Sequence, residues 1–175
     1  EGDWLIIEAD ESDGSITQYK PEVGLLLNVD KDHQEMDELM RLFATFTSNT
    51  QSVFITNQAH PSSATFSVNR EHDFSTDDQL KAGFIASGYV QKGMDVSFLI
   101  NEVPFSLHTI GRHNMENALA ATAVASQLGI SLAACAAALN TYEGIYRRSQ
   151  FLGTYHGVTL IDDYAHNPVK CAASI

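Results

Sequence analysis

Four carboxylates crowd into one short run near the start of the chain, between Glu8 and Asp13. The run follows an apolar stretch, residues 4–7, which predicts a short buried strand. Open α/β sheets bind ligands at the carboxyl ends of their strands, so this position indicates a binding site. Mg²⁺ with phosphates is the natural partner, because this ion takes one or two carboxylates and keeps several waters. A solvated acidic turn is the alternative interpretation.

A second polar loop follows the next predicted strand. Residues 23–29 form a continuous apolar run, typical of a strand buried on both faces, and they lead into a loop that contains His33. If the two strands are parallel neighbours, Glu8 and His33 end at the same edge of the sheet. A carboxylate and an imidazole that converge there can bind a divalent ion or position its waters. An exposed loop histidine is the alternative.

Two amide side chains, Asn114 and Asn117, stand at the predicted start of a helix. Residues three apart on a helix share a face, so both amides are expected to point the same way. Two amides on one face can read the donor and acceptor edge of a purine, and a helix N-terminus favours anions. The alternative is an N-cap asparagine beside a neutral one.

Two later stretches are also rich in polar side chains. The pair Arg147 and Arg148 stands out in a chain poor in positive charge, and arginine suits bidentate recognition of phosphate, although a surface basic pair is the alternative. Residues 158–161 predict a last strand, followed by a polar stretch over 162–168. A helix is expected to start within residues 167–170, with a proline in its first turn.

The elements that position these side chains follow from apolar spacing. Helical periodicity predicts helices over residues 35–48, 115–128 and 131–139, with Ser131 as the N-cap of the last. Short apolar runs predict further strands over residues 52–57 and 65–68. Alternation with a period of two predicts an antiparallel meander over residues 82–110. The expected fold is therefore α/β: a mostly parallel sheet flanked by helices, with a small antiparallel sheet.

Composition restricts the class of protein. Of the 175 residues, 44% are hydrophobic and 18% are charged, which is typical of a globular domain. The formal net charge of −12 argues against nucleic acid as a partner. The sequence has no apolar run of membrane-spanning length and no signal peptide, so no membrane partner is expected. The two cysteines lack metal-ligand spacing, which favours a reducing compartment, the cytoplasm.

Taken in order, these stretches resemble the Mur ligase family, the ATP-dependent amide ligases of peptidoglycan precursor synthesis. The resemblance rests on five motifs: the Glu8 to Ser15 run, Asp32-His33, Gly111-Arg112-His113-Asn114 with Asn117, the Gly144 to Arg148 stretch, and Asp163 with His166. It covers nearly the whole chain. It implies that residues 1–150 belong to the central ATP-binding domain and that residues 151–175 begin the C-terminal domain.

The resemblance implies a catalytic role for three residues. Glu8 and His33 would bind the Mg²⁺ ions that bridge ATP and an acyl phosphate, and Arg148 would contact the phosphates. The implied reaction starts when a substrate carboxylate attacks the γ-phosphate of ATP. An amine then displaces phosphate from the acyl phosphate, as L-alanine or a peptide is joined to UDP-N-acetylmuramate.

The resemblance also implies residues that bind the nucleotide and the substrates. Asn114 and Asn117 would face the adenine, and Asp163 would contact the ribose. His113 and His166 would bind substrate, with His166 near the incoming amino acid.

Three departures from the family pattern refine these expectations. No Gly-x-x-x-x-Gly-Lys-Ser/Thr phosphate loop occurs in the sequence, so a fragment that is inactive on its own is expected. Asn167 follows His166, as in folylpolyglutamate synthetase, which leaves a ligase of that type as one alternative. No lysine lies between Lys31 and Lys81, which favours the branch that adds alanine or recycles peptides. A non-catalytic acidic module that binds a metal or a partner is the other alternative.

Overall fold

The computed structural model describes residues 2–30, 35–166 and 171–172. A short 3-10 helix, Ser15–Gln18, precedes the regular elements. Helices and strands follow in the order β1 Val23–Leu26, α1 Met36–Asn49, β2 Val53–Thr56, α2 Pro61–Ala64, β3 Phe74–Ser75, β4 Phe84–Lys92, β5 Asp95–Ile100, β6 Val103–Leu107, α3 Arg112–Gln127, α4 Leu132–Leu139, β7 Gln150–Tyr155 and β8 Val158–Asp162. Within these ranges no helix combines the length and the apolar character that crossing a membrane requires.

Strands β1 and β2 pair in parallel, with Val23 opposite Val53 and Leu26 opposite Thr56. Helix α1 is the crossover that joins them, as parallel neighbours require. Its apolar stripe is buried in one cluster with the strands and with the 3-10 helix: Ile16, Leu26, Val29, Leu39, Phe43, Phe46 and Phe54. This packing holds the carboxyl ends of β1 and β2 at one edge of the sheet.

Strands β4, β5 and β6 form the antiparallel meander, and β3 pairs in parallel with β4. Burial alternates strictly along β5, because one face packs on the core and the other faces solvent. The turn from β5 to β6 consists of Asn101 and Glu102, both with positive φ, as the tightest hairpin turns demand. The larger core cluster joins the buried face of the meander to α3 and α4.

The expected α/β fold is confirmed, with a parallel pair, a small antiparallel sheet and flanking helices. The predicted helix over residues 35–48 is α1, and the meander and the strand over 52–57 also form. Ser131 caps α4, since its side chain accepts a hydrogen bond from the Ala134 amide. Strand β8 forms as predicted, paired antiparallel with β7, whereas residues 167–170 lie outside the described residues.

Two predicted strands are wrong. Residues 4–7 have no regular structure, and Leu5 and Ile6 are 88% and 91% exposed. The only described partner of β1 is β2, so the apolar run has no neighbouring strand against which to be buried. Residues 65–68 form the turn after α2, because Pro61 at the first turn starts a helix there.

Asp73 fastens the segment between β2 and β4 to the core. Its side chain is completely buried and accepts hydrogen bonds from the Thr56 amide at 2.9 Å, from Gln58 Nε2 at 2.7 Å and from the Ser67 hydroxyl. Burial raises the pKa of Asp73, and these donors and the charge of His72 oppose that rise. The folded protein therefore binds a proton at Asp73 more tightly than the unfolded chain does.

We expect Asp73→Ala to lower the free energy of unfolding by about 3 kcal/mol, because it leaves three donors without an acceptor. Because folding raises this pKa, the stability contributed by protonation is present in acid and is lost as pH rises through the folded-state pKa. The difference in the free energy of unfolding between wild type and variant should therefore widen as the pH falls. Urea unfolding at several pH values measures both effects.

Asp78→Ala is the matched control, because Asp78 is exposed and accepts a hydrogen bond from its neighbour Gln79. We expect the free energy of unfolding of this control to stay within about 0.5 kcal/mol of the wild-type value. Equal effects of the two substitutions would contradict the structural role given to Asp73.

Candidate functional site

The acidic run is a loop built by its own carboxylates. Asp10 Oδ1 accepts the Ser12 amide and Asp13 Oδ1 accepts the Ser15 amide, each at 2.8 Å. Hydrogen bonds from the Ser12 side chain and backbone lower the pKa of Asp10, and those from Ser15 do the same for Asp13. These two carboxylates therefore shape the loop.

The loop is anchored immediately after these turns. Ile16 is buried against α1, and the Asn49 side chain donates to the Thr17 carbonyl at 2.8 Å. Glu8 lies just before this anchored region, and it is exposed. His33 lies outside the described residues, so the pairing of Glu8 with His33 stays a prediction.

A histidine that the sequence patterns did not single out joins the loops after β1 and β2. His60 Nε2 lies 3.2 Å from Asp30 Oδ1, and His60 Nδ1 lies 3.3 Å from Ser63 Oγ. The other carboxylate oxygen of Asp30 accepts the Asn28 amide group at 2.7 Å. The loop that leads to His33 is thus held to its neighbour at the edge of the parallel pair.

The first two turns of α3 carry the predicted adenine-binding amides. The amide nitrogen of Asn114 lies 2.7 Å from the Ile110 carbonyl oxygen and 3.1 Å from Thr109 Oγ1, so it braces the preceding loop. Asn117 is exposed about one turn further along α3. The structure thus gives Asn114 a local role, and adenine recognition by both amides stays a prediction.

His113 sits against the backbone of Gly111, the N-cap of α3. Gly111 has φ of 91°, and a Cβ at this position would lie 2.6 Å from His113 Cε1. In the described part of the chain, His113 Nδ1 is buried without a hydrogen-bond partner. Burial also raises the pKa of the nearby Glu116, and the charge of His113 opposes that rise.

The ring of Tyr164 gathers the cationic side chains of the last motifs. The guanidinium carbons of Arg147 and Arg148 lie 5.1 Å and 5.8 Å from its centroid, within cation–π range. The His166 ring packs edge-on at 5.3 Å, and Arg147 Nε lies 3.5 Å from Asp162 Oδ2. Two predicted site residues, Arg148 and His166, are thus brought together by an aromatic residue two positions before His166.

Asp163 is held on both of its carboxylate oxygens. Oδ2 accepts the Ser149 amide at 2.8 Å and the Ser149 hydroxyl at 3.2 Å, while Oδ1 accepts the Ala165 amide at 2.7 Å. Ser149 Oγ also lies 3.5 Å from His113 Nε2. Ser149 therefore connects two predicted site residues, one on α3 and one after β8.

A cavity of about 470 Å³ opens beside this junction, within the usual size range of small-molecule sites. Its lining includes Thr109 from the loop before α3, Glu143, Arg148 and Ser149. The lining thus offers one guanidinium and several hydrogen-bonding groups, beside the carboxylates of Asp95 and Glu143.

We expect Gly111→Ala to displace the His113 ring and to lower the free energy of unfolding by about 1 kcal/mol or more, because alanine is strained at this φ. Gly129→Ala is the matched control: its φ is 82°, and no other described atom lies within 4 Å of its added Cβ. Urea unfolding and imidazole NMR shifts measure the two effects. An unchanged His113 signal in Gly111→Ala would contradict the contact.

Comparison with known proteins identifies relatives of this chain. A family model described as the Mur ligase middle domain matches residues 1–125. The UDP-N-acetylmuramate–L-alanine ligase of Cyanothece sp. is 31% identical over an alignment of 191 residues, gaps included. The alignment covers 99% of this chain and 39% of that protein.

Solved structures share the fold. The UDP-N-acetylmuramate-alanine ligase MurC of Thermotoga maritima matches with a TM-score of 0.80 at 22% identity, over 94% of this chain and 40% of that one. The MurF ligase of Thermotoga maritima in complex with ADP matches with a TM-score of 0.73 at 15% identity, over 92% of this chain and 40% of that one. The chain spans about two fifths of these relatives. With the middle-domain model matched over residues 1–125, the chain belongs to the Mur ligase family.

Proposed function

We propose that the protein containing this chain is an ATP-dependent ligase that joins L-alanine, or a peptide, to UDP-N-acetylmuramate. One observation carries the proposal: Arg148 and Ser149 line one cavity, and Ser149 both holds Asp163 and lies 3.5 Å from His113 in the first turn of α3. The relative named UDP-N-acetylmuramate–L-alanine ligase, which matches 99% of the chain, supports the same reaction.

In this proposal ATP binds in the cavity that Thr109, Arg148 and Ser149 line, and it reaches from there to the first turns of α3. Arg148 binds phosphate oxygens, and its contact with the Tyr164 ring limits where the guanidinium can lie. Asp163 accepts hydrogen bonds from the ribose, and Asn114 and Asn117 face the adenine. The ADP bound in the MurF structure of similar fold supports a nucleotide as the ligand.

The carboxylate chemistry of the acidic loop suits Mg²⁺. Asp10 and Asp13 are engaged by the loop backbone, which leaves Glu8 as an exposed carboxylate before the anchored region. A carboxylate oxygen is the ligand type that Mg²⁺ prefers, and His33 is the proposed second residue. When bound, the ion would neutralise phosphate charge that this acidic chain would otherwise repel.

The proposed reaction balances in two steps. The substrate carboxylate attacks the γ-phosphorus of ATP, which breaks the bond to ADP and forms an acyl phosphate. The amine then attacks the acyl carbon, and inorganic phosphate leaves from a tetrahedral intermediate. Both steps redistribute negative charge, so positioned donors such as Arg148 supply most of the catalysis.

His166 suits the second step as an acceptor of the amine proton. Its Nδ1 lies 3.0 Å from the Tyr164 carbonyl oxygen, which can only accept, so the hydrogen bond places the proton on Nδ1. Nε2 then carries the lone pair and is the basic nitrogen of the ring. His113, at the first turn of α3, is proposed to contact substrate.

We also propose where the central domain ends and in which cellular compartment the protein lies. We place the end of the central domain near residue 150, because β7 and β8 pair only with each other among the described strands. We place the protein in the cytoplasm, which the free thiols of Cys135 and Cys171 support.

We expect Glu8→Gln in the full-length protein to lower ATP-dependent phosphate release by about 100-fold, because the metal loses a charged ligand. The Mg²⁺ concentration that gives half-maximal rate should rise as well. Phosphate release on addition of L-alanine and UDP-N-acetylmuramate measures both quantities.

Asp13→Asn is the matched control, since it removes one charge from the same loop but keeps an oxygen that can accept the Ser15 amide. We expect it to keep the wild-type requirement for Mg²⁺. If Glu8→Gln and Asp13→Asn behave alike, Glu8 is not the metal ligand. If His33→Ala leaves phosphate release unchanged, His33 does not share the metal site with Glu8.

A further inference from the structure

Ser149 adopts a conformation that serine rarely takes. It is buried, with 4% of its surface exposed, and its φ of 48° lies in the left-handed region. A non-glycine residue in this region persists only where surrounding contacts hold it there. The contacts that hold Ser149 in this conformation should therefore indicate its role.

Those contacts converge on one atom. The backbone amide and the hydroxyl of Ser149 both donate to Asp163 Oδ2, at 2.8 Å and 3.2 Å. The Ala165 amide donates to the other oxygen, at 2.7 Å. The carboxylate of Asp163 is thus held on both sides, and its orientation is set by the turn that contains Ser149.

The hydroxyl also faces α3. A hydroxyl has one proton, and Ser149 donates it in the hydrogen bond to the Asp163 carboxylate. His113 Nε2 lies 3.1 Å from Asn114 Nδ2, which can only donate, so Nε2 accepts from Asn114 and its 3.5 Å approach to Ser149 Oγ is a packing contact. Ser149 thus packs against the first turn of α3 while its hydrogen bonds hold the segment after β8.

We propose that Ser149 is a positioning residue for the nucleotide: its amide and hydroxyl hold Asp163 Oδ2 and so aim the Asp163 carboxylate. The inference rests on the proposed function, in which Asp163 binds the ribose. Because Ser149 acts through Asp163, its removal should affect nucleotide binding and should leave the chemical step nearly unchanged.

Two substitutions separate the hydroxyl from the backbone. Ser149→Ala removes the hydroxyl and keeps both the amide donor and the strained φ. Ser149→Gly removes the hydroxyl and relieves the strain, since glycine adopts this φ readily. If the hydroxyl is what matters for the nucleotide, both variants weaken its binding, although their effects on stability differ.

The test uses the full-length protein, with KM for ATP, kcat and the Kd of a non-hydrolysable ATP analogue as readouts. We expect Ser149→Ala and Ser149→Gly each to raise KM and Kd about tenfold, the equivalent of one hydrogen bond to a charged group. The kcat should stay within about twofold, since truncation of a positioning contact of this kind acts on binding. Ser48→Ala, which removes a hydroxyl from the exposed face of α1, should change none of these values.

A double-mutant cycle decides whether Ser149 acts through Asp163. In an Asp163→Ala background, Ser149→Ala should have no further effect on the Kd of the analogue. If the double variant raised the Kd by the product of the two single effects, the proposal would be overturned. An unchanged Kd in Ser149→Ala would overturn it as well. Failure of the wild-type protein to bind the analogue would instead overturn the proposed function, and the positioning role with it.

Discussion

Parallel pairing of β1 with β2 is the constraint on which the proposed metal-binding edge depends. Parallel strands need a crossover, and α1 supplies it by burying its apolar stripe against both strands and the 3-10 helix. The same packing anchors the acidic loop through Ile16 and through the hydrogen bond from Asn49 to the Thr17 carbonyl. At the carboxyl ends of the two strands, the loop after β1 meets the loop after β2 through Asp30 and His60.

The second half of the site depends on a different kind of contact. Antiparallel pairing of β7 with β8 places Gln150 opposite Asp162, and the ring of Tyr164 and the paired donors of Ser149 gather the neighbouring side chains. These contacts concentrate Arg147 and Arg148 in a chain whose formal net charge is −12. Two neighbouring guanidinium groups give an anionic nucleotide a local attraction in an otherwise acidic protein.

Local apolar spacing in the sequence predicted α1 and the meander. The residue type at position 131 predicted the N-cap of α4. The sequence pattern misplaced residues 4–7, because an apolar run indicates a strand but does not reveal whether a partner lies beside it. Site residues such as Arg148 and Asp163 were inferred from the family motifs, and their roles stay predictions. The sequence patterns missed Ser149 and His60, since each acquires its role only through contacts distant along the chain.

Calorimetric titration of the full-length protein with a non-hydrolysable ATP analogue, with Mg²⁺ present and then with Mg²⁺ removed, tests the proposed nucleotide site. We predict one saturable site whose affinity for the analogue falls by about tenfold or more without the ion, because phosphate charge is then left unneutralised. Binding of Mg²⁺ without any binding of the analogue would contradict this prediction. That result would describe an acidic module that holds a cation and performs no ligase chemistry.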